Sequence, residues 1–150
     1  HNLIVLRTLS KAFGIAGARV GYAMAHPGLI TELDAVRPPG SISSVSVSIG
    51  MAALRDPARM RAVVETVVAT RAVFADRLAT LGLRVLPSET NFLLCEVGPR
   101  AHRIAEQLMG RGLVVRTFPG GGPLEDYLRF TVRSPQANSR LLAALERYLS

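Results

Sequence analysis

The spacing of apolar positions changes several times along the chain, and each change marks an element. Leu3-Ile4-Val5-Leu6 is an unbroken apolar run ending at Thr8, the pattern of a buried strand over residues 2–8. Val20 to Ala25 reads as a second short strand. Pro27 opens a helix with Leu29, Ile30, Leu33 and Val36 on one face, and Arg37-Pro38-Pro39-Gly40 closes it. The Ser-rich stretch 41–48 leads into a helix carrying Ile49, Met51, Ala52, Ala53 and Leu54. Asp56-Pro57 is a helix start, with Asp at the N-cap and Pro at the first helical position. Met60, Val63, Val64, Val67, Val68, Phe74, Leu78 and Leu81 follow near helical spacing, and Gly82 caps the run. A helix of about 25 residues is roughly 38 Å long, enough to bridge two domains.

After Gly82 the elements become short and alternate. Leu83–Leu86, Asn91–Val97, Leu113–Arg116 and Tyr127–Val132 read as strands. Pro99 opens a helix with Ile104, Ala105, Leu108 and Met109 inward, capped by Gly112. Ser134-Pro135 starts the last helix, with Leu141, Leu142, Leu145, Tyr148 and Leu149 on its core face. The pattern predicts a small α+β domain over residues 83–150, a connecting helix over 56–82, and part of another domain over 1–55.

Composition narrows the classes. Hydrophobic residues make up 49% of the chain, enough for a buried core. No apolar run approaches the roughly 18 to 20 residues of a membrane span. Cys95 is the only cysteine, so no internal disulfide is expected and a reducing, cytoplasmic setting fits. The net charge of +7 raises the question of nucleic acid. The arginines, however, are spread along the chain with Glu32, Asp34, Glu65, Asp76 and Glu106 among them, so no nucleic-acid partner is expected. His1, His26 and His102 show no metal-ligand spacing. The sequence opens on His1, enters a core strand within a few residues, and reads as a piece of a longer protein.

One compositional bias points to chemistry. Of the 18 basic residues only Lys11 is a lysine. A chain that uses arginine wherever a positive charge will do keeps a lysine where it needs a primary amine, because a guanidinium stays protonated and forms no stable imine. Lys11 lies in the densest cluster of the sequence: Thr8-Leu9-Ser10-Lys11-Ala12-Phe13-Gly14-Ile15-Ala16-Gly17-Ala18-Arg19-Val20-Gly21-Tyr22. A strand end holds the lysine rigidly, and a cationic neighbour such as Arg19, or desolvation, favours its neutral amine. Arg19 can grip a phosphate bidentately, Ser10 can donate a hydroxyl to it, and the glycines let the backbone turn beside a ligand.

Ser10-Lys11-Ala12-Phe13-Gly14 through Arg19-Val20-Gly21-Tyr22 resembles the lysine motif of class I/II, fold-type I aminotransferases, and within them the histidinol-phosphate branch most. The resemblance continues through Pro87-Ser88-Glu89-Thr90-Asn91-Phe92, Gly112-Leu113-Val114-Val115-Arg116 and Tyr127-Leu128-Arg129-Phe130-Thr131-Val132. It implies an α/β chain: the end of the cofactor-binding large domain (1–55), an interdomain helix (56–82) and the small C-terminal domain (83–150). It implies that Lys11 forms the Schiff base with pyridoxal 5'-phosphate and moves protons in the 1,3-shift. Ser10 and Arg19 are then the cofactor-phosphate ligands. Arg116 and Arg129 bind the substrate phosphate and the carboxylate of the glutamate or 2-oxoglutarate co-substrate. The family works as homodimers.

Two segments depart from the family pattern. Arg133-Ser134-Pro135-Gln136-Ala137-Asn138 stands where a Gly and acidic residues are usual, and Pro38-Pro39-Gly40-Ser41-Ile42-Ser43 replaces a Pro-Tyr-Asn type segment. The family's pyridine-pairing Asp, its ring-stacking aromatic and the partner-subunit Tyr have no counterpart in these 150 residues, so this chain alone is expected to be inactive. Asn91 reads equally as a residue facing the site and as a turn residue. A threonine-phosphate decarboxylase of the same fold is the second reading, and a basic nucleic-acid-binding module a distant third.

Overall fold

The computed structural model describes residues 2–149, so His1 lies outside the described residues. The chain divides into two compact units, His1–Val64 and Glu65–Ser150, and the division falls within one helix.

The first unit begins with an antiparallel pair, β1 (Ile4–Thr8) and β2 (Gly21–Ala25), in the register Thr8 opposite Gly21. The connection carries a single 3-10 turn, Ala16–Ala18. Two helices follow, α1 (Pro27–Val36) and α2 (Ser44–Leu54). α2 starts inside the Ser-rich stretch because Ser43 caps it, its Oγ accepting from the Ser46 N–H at 3.0 Å. β1 forms where the apolar run predicts a strand, and no element of the described residues covers Leu3 and Leu6, which are 69% and 75% exposed in this chain. Leu9 is the one large side chain of this unit, among the described residues, that is fully buried.

α3 (Pro57–Thr80) starts where the Asp56-Pro57 signal places it, with Asp56 Oδ1 accepting from the Arg59 N–H at 3.0 Å. At its end Gly82 adopts φ 84°, the Leu83 N–H reaches the Leu78 carbonyl at 3.3 Å, and the Gly82 N–H reaches that of Ala79 at 2.9 Å. This double bond pattern is a Schellman cap, and Leu78 and Leu83 are both buried beside it.

The second unit is built on a three-stranded antiparallel sheet, β3 (Arg84–Val85), β4 (Phe92–Glu96) and β5 (Tyr127–Thr131), in the order β3-β4-β5. α4 (Ala101–Met109) and α5 (Pro135–Leu149) complete it. Alternation sorts the sheet into two faces. Leu93, Cys95, Leu128 and Phe130 point into the core with Phe74, Leu78, Ile104, Leu108 and Leu145. The Phe74 and Phe130 rings meet edge to face, centroids 6.4 Å apart. The other face carries Phe92, Leu94, Glu96, Tyr127, Arg129 and Thr131, all partly or fully exposed.

The strand expected over Leu113–Arg116 reduces to one bridge, Arg116 opposite Arg129. The reason is local. Gly112 (φ 71°) ends α4 in a second Schellman cap, and the Leu113 N–H is held by the Leu108 carbonyl at 2.9 Å. The chain is therefore still tied to the helix end and meets β5 only at Arg116. No helix of the described residues is long and apolar enough to cross a membrane.

Candidate active site

The five residues singled out in the sequence fall into two groups, one in each unit. Ser10, Lys11 and Arg19 belong to the β1–β2 connection. This connection is pinned at both ends. The Leu9 N–H donates to the Val20 carbonyl (3.1 Å), and the Gly14 N–H donates to the Lys11 carbonyl (2.9 Å), closing a turn on the lysine. Leu9 packs where α2 offers only Gly50: a Cβ there would lie 3.2 Å from Val20 Cγ1 and 3.6 Å from Leu9 Cδ1. Gly21 is required for the strand pair itself, since a Cβ would stand 2.8 Å from the Arg7 carbonyl oxygen. The backbone around Lys11 is thus fixed while its side chain stays exposed.

Ser10 and Arg19 are each held by local hydrogen bonds that leave donors unused. Thr8 Oγ1 accepts from the Ser10 N–H (3.1 Å) and donates to Ser10 Oγ (2.9 Å), which leaves the Ser10 hydroxyl proton free to donate outward. Arg19 is the sole non-glycine residue with positive φ among the described residues, at 55°. Its Nη1 donates to the Ala16 carbonyl at 3.2 Å, and the remaining guanidinium donors have no carboxylate partner among the described residues. A left-handed arginine costs about 1 to 3 kcal/mol that glycine would not, and such residues concentrate at ligand sites.

The second group lies on the open face of the small sheet. Arg116 and Arg129 are bound to each other through the backbone in both directions, at 3.2 and 3.0 Å. Residues paired in this way project side chains to the same face, with Cα atoms about 5.5 Å apart. Neither arginine has a carboxylate partner among the described residues. The nearby acid on this face is already engaged: Glu96 accepts from Arg84 Nε at 2.6 Å and from the Tyr127 hydroxyl at 3.3 Å. Those hydrogen bonds, Glu96 first and Tyr127 second, raise the Arg84 pKa above its ordinary value. Arg129 Nε is buried with no hydrogen-bond partner. Two like charges are thus set opposite each other, one with an orphaned donor and neither with a carboxylate among the described residues.

Two residues, one on this face and one that braces the turn before it, were not anticipated. The Arg129 guanidinium carbon sits 4.9 Å from the centroid of the Phe92 ring. Arg71, on α3, donates to the Thr90 carbonyl and to Glu89 at the entry to β4. Strand alternation alone assigns Phe92 to the face opposite Leu93, but which face holds Arg129 depends on the register between β4 and β5, which sequence does not display. Asn91 is resolved in part: its carbonyl accepts from the Val132 N–H at 2.9 Å, extending the strand pairing. Cys95 is fully buried, and desolvation pushes its thiol up to about 12. No cluster of metal-binding side chains occurs among the described residues.

A model of the family aminotransferase class I and II matches residues 1–145. The histidinol-phosphate aminotransferase of Caldanaerobacter subterraneus subsp. tengcongensis is 40% identical over all of this chain and 42% of its own length. The aromatic amino acid aminotransferase of Mycobacterium tuberculosis is 37% identical over 100% of this chain and 41% of its own. Among solved structures, the histidinol-phosphate aminotransferase of Sinorhizobium meliloti in complex with pyridoxal-5'-phosphate superposes with a TM-score of 0.86 at 34% identity. That match covers 99% of this chain and 42% of the other. The L-threonine-O-3-phosphate decarboxylase of Porphyromonas gingivalis gives 0.86 at 26% identity, over 99% of this chain and 47% of the other. The chain therefore spans less than half the length of the proteins it matches. Across that span, from the lysine loop to the last helix, it belongs to the class I and II aminotransferase family.

Proposed function

We propose that this chain carries the lysine loop and the substrate arginines of a pyridoxal-phosphate-dependent aminotransferase, with L-glutamate as amino donor and imidazole-acetol phosphate as acceptor. The residues present fit that cofactor. Lys11 offers the one primary side-chain amine to its aldehyde, and the Ser10 hydroxyl and the Arg19 fork suit its phosphate. When bound, the cofactor supplies the electron sink that lets an amino acid lose its α-proton. Lys11 Nζ would accept that proton and return it, as base and acid in turn. Arg116 and Arg129 bind and orient the substrate's anionic groups, a phosphate in one half-reaction and a dicarboxylate in the other.

The observation that carries this reading is the Arg116–Arg129 pair: two same-face guanidiniums without a carboxylate partner among the described residues, one of them with a buried, unpartnered Nε. The acid that pairs with the cofactor ring is not among these residues, so catalysis by the whole protein, in a homodimer, is part of the proposal. A phosphorylated amino acid offers the same anions to the same pair, and the decarboxylase likeness keeps that chemistry as the second reading. The test is an assay of the full-length protein with glutamate and imidazole-acetol phosphate, run beside phenylpyruvate as acceptor and threonine phosphate as substrate. Turnover that requires the phosphorylated keto compound supports the proposal. Carbon dioxide release from threonine phosphate, or preference for phenylpyruvate, contradicts it.

A further inference from the structure

We infer that Phe92 is a positioning residue for Arg129, and that Arg71 holds Phe92 in place through the turn at residues 88–91. The inference deepens the proposed function and rests on it, since it takes Arg129 as a carboxylate ligand.

An arginine side chain has many rotamers, and binding an anion with a free-swinging one costs the entropy of ordering it. On this sheet the ordering is built in. Phe92 and Arg129 lie on the same face, on neighbouring strands, with the guanidinium carbon 4.9 Å from the ring centroid. The ring's negative face attracts the cation and leaves its N–H groups unconsumed, which a carboxylate in that position would not. An aromatic ring attracts the guanidinium electrostatically without taking any of its N–H donors.

Phe92 is not on this face to fill the core. The core side of β4 is taken by Leu93 and Cys95, 2% and 0% exposed, whereas Phe92 stays partly exposed opposite them. The backbone of Phe92 is instead held by the turn before it. Its N–H donates to Thr90 Oγ1 at 3.3 Å, and its carbonyl accepts from Ser88 Oγ at 2.7 Å and from Thr90 Oγ1 at 3.1 Å. Arg71 fastens that turn to α3. Its Nη1 donates to the Thr90 carbonyl at 2.9 Å and its Nη2 to Glu89 Oε2 at 2.8 Å. Glu89 is 94% exposed, so water screens the ion pair, and the bond to the Thr90 carbonyl is the firmer tie. The order Arg71, Thr90, Phe92, Arg129 links a helix to the anion-binding guanidinium through four side chains or backbone groups in contact.

The experiment follows the Nε–Hε resonance of Arg129 in nitrogen-15 spectra of the full-length protein, assigned by its loss in Arg129→Lys, while succinate is added as a dicarboxylate probe. In the unsubstituted chain the resonance is displaced by the ring and moves on titration. Phe92→Leu removes the ring displacement and raises the apparent Kd for succinate about five-fold, the scale of one partly desolvated cation–π contact. Phe92→Tyr, which keeps the ring, restores both. Arg71→Gln leaves every core side chain in place and raises the Kd in the same direction, which carries the test if Phe92→Leu does not fold. Unchanged core amide shifts at Leu93 and Cys95 exclude a merely structural effect. Succinate binding that is equal in the unsubstituted chain, Phe92→Leu and Arg71→Gln overturns the inference and leaves the anion site standing. No response of the Arg129 resonance to succinate in the unsubstituted chain overturns the anion site itself.

Discussion

Arg116 and Arg129 face each other across a single antiparallel bridge, each donating its N–H to the other's carbonyl. Thirteen residues apart in sequence, they are brought side by side by the cap at Gly112 and the loop that returns the chain into β5. Nothing in the second unit neutralises them among the described residues, and the neighbouring Glu96 is committed to Arg84. The pair is held together at a cost to the ligand-free protein, and that cost gives the first prediction.

Arg116→Gln is expected to stabilise the ligand-free chain by about 0.2 to 1 kcal/mol, the scale of one like-charge cross-strand contact. Urea denaturation checks this. In the full-length protein, Arg116→Ala is expected to weaken the phosphorylated substrate by about ten-fold or more, as loss of a charge-assisted hydrogen bond does, and glutamate by less. Equal loss for both ligands counts against the assigned role.

Arg19→Gly separates backbone from chemistry. At φ 55° glycine is the more comfortable residue, so the substitution is expected to keep or raise stability, by up to about 1 kcal/mol. Cofactor retention is expected to fall sharply, because one phosphate-binding fork is gone. Thermal melts paired with cofactor absorbance on the full-length protein read both. A variant that melts lower and still holds its cofactor refutes the account of this residue.

Much of the second unit was legible in the sequence because its signals are local. Pro57 and Pro135 stand at the first helical positions of α3 and α5, and Gly82 and Gly112 supply the positive φ that ends α3 and α4. The apolar runs over Asn91–Val97 and Tyr127–Val132 read as strands, and β4 and β5 form within those bounds. What the sequence concealed depends on register and on competition. Leu113 has strand character, yet its N–H is already bound to Leu108, so the expected strand shrinks to Arg116. Arg71 lies in no motif and Phe92 only ends one, and the contacts of both follow from the pairing of β4 with β5 and from one turn docking on α3. Leu3 and Leu6 stand in an unbroken apolar run that reads as a buried strand, and the described elements of the first unit do not cover them.

Cys95 is expected to be inert in the folded chain. Its pKa is pushed from 9.0 to about 12 by burial, so at pH 8 almost no thiolate is present. Iodoacetamide at pH 8 is expected to label it only after denaturation. The raised value also sets a sign: the folded state holds the thiol proton more tightly, so this contribution to stability is complete below pH 9 and is lost as pH rises toward 12. Rapid labelling under native conditions contradicts the buried placement.

The most direct test of the central claim is to trap the cofactor. Full-length protein is incubated with pyridoxal phosphate, reduced with borohydride, digested and mapped by mass spectrometry. Lys11 is the only lysine in these 150 residues, so a label on their side chains has one place to go. The account predicts one phosphopyridoxyl group on Lys11, absent in Lys11→Arg and much reduced in Arg19→Gly. A label elsewhere in the protein, or none at all, contradicts it.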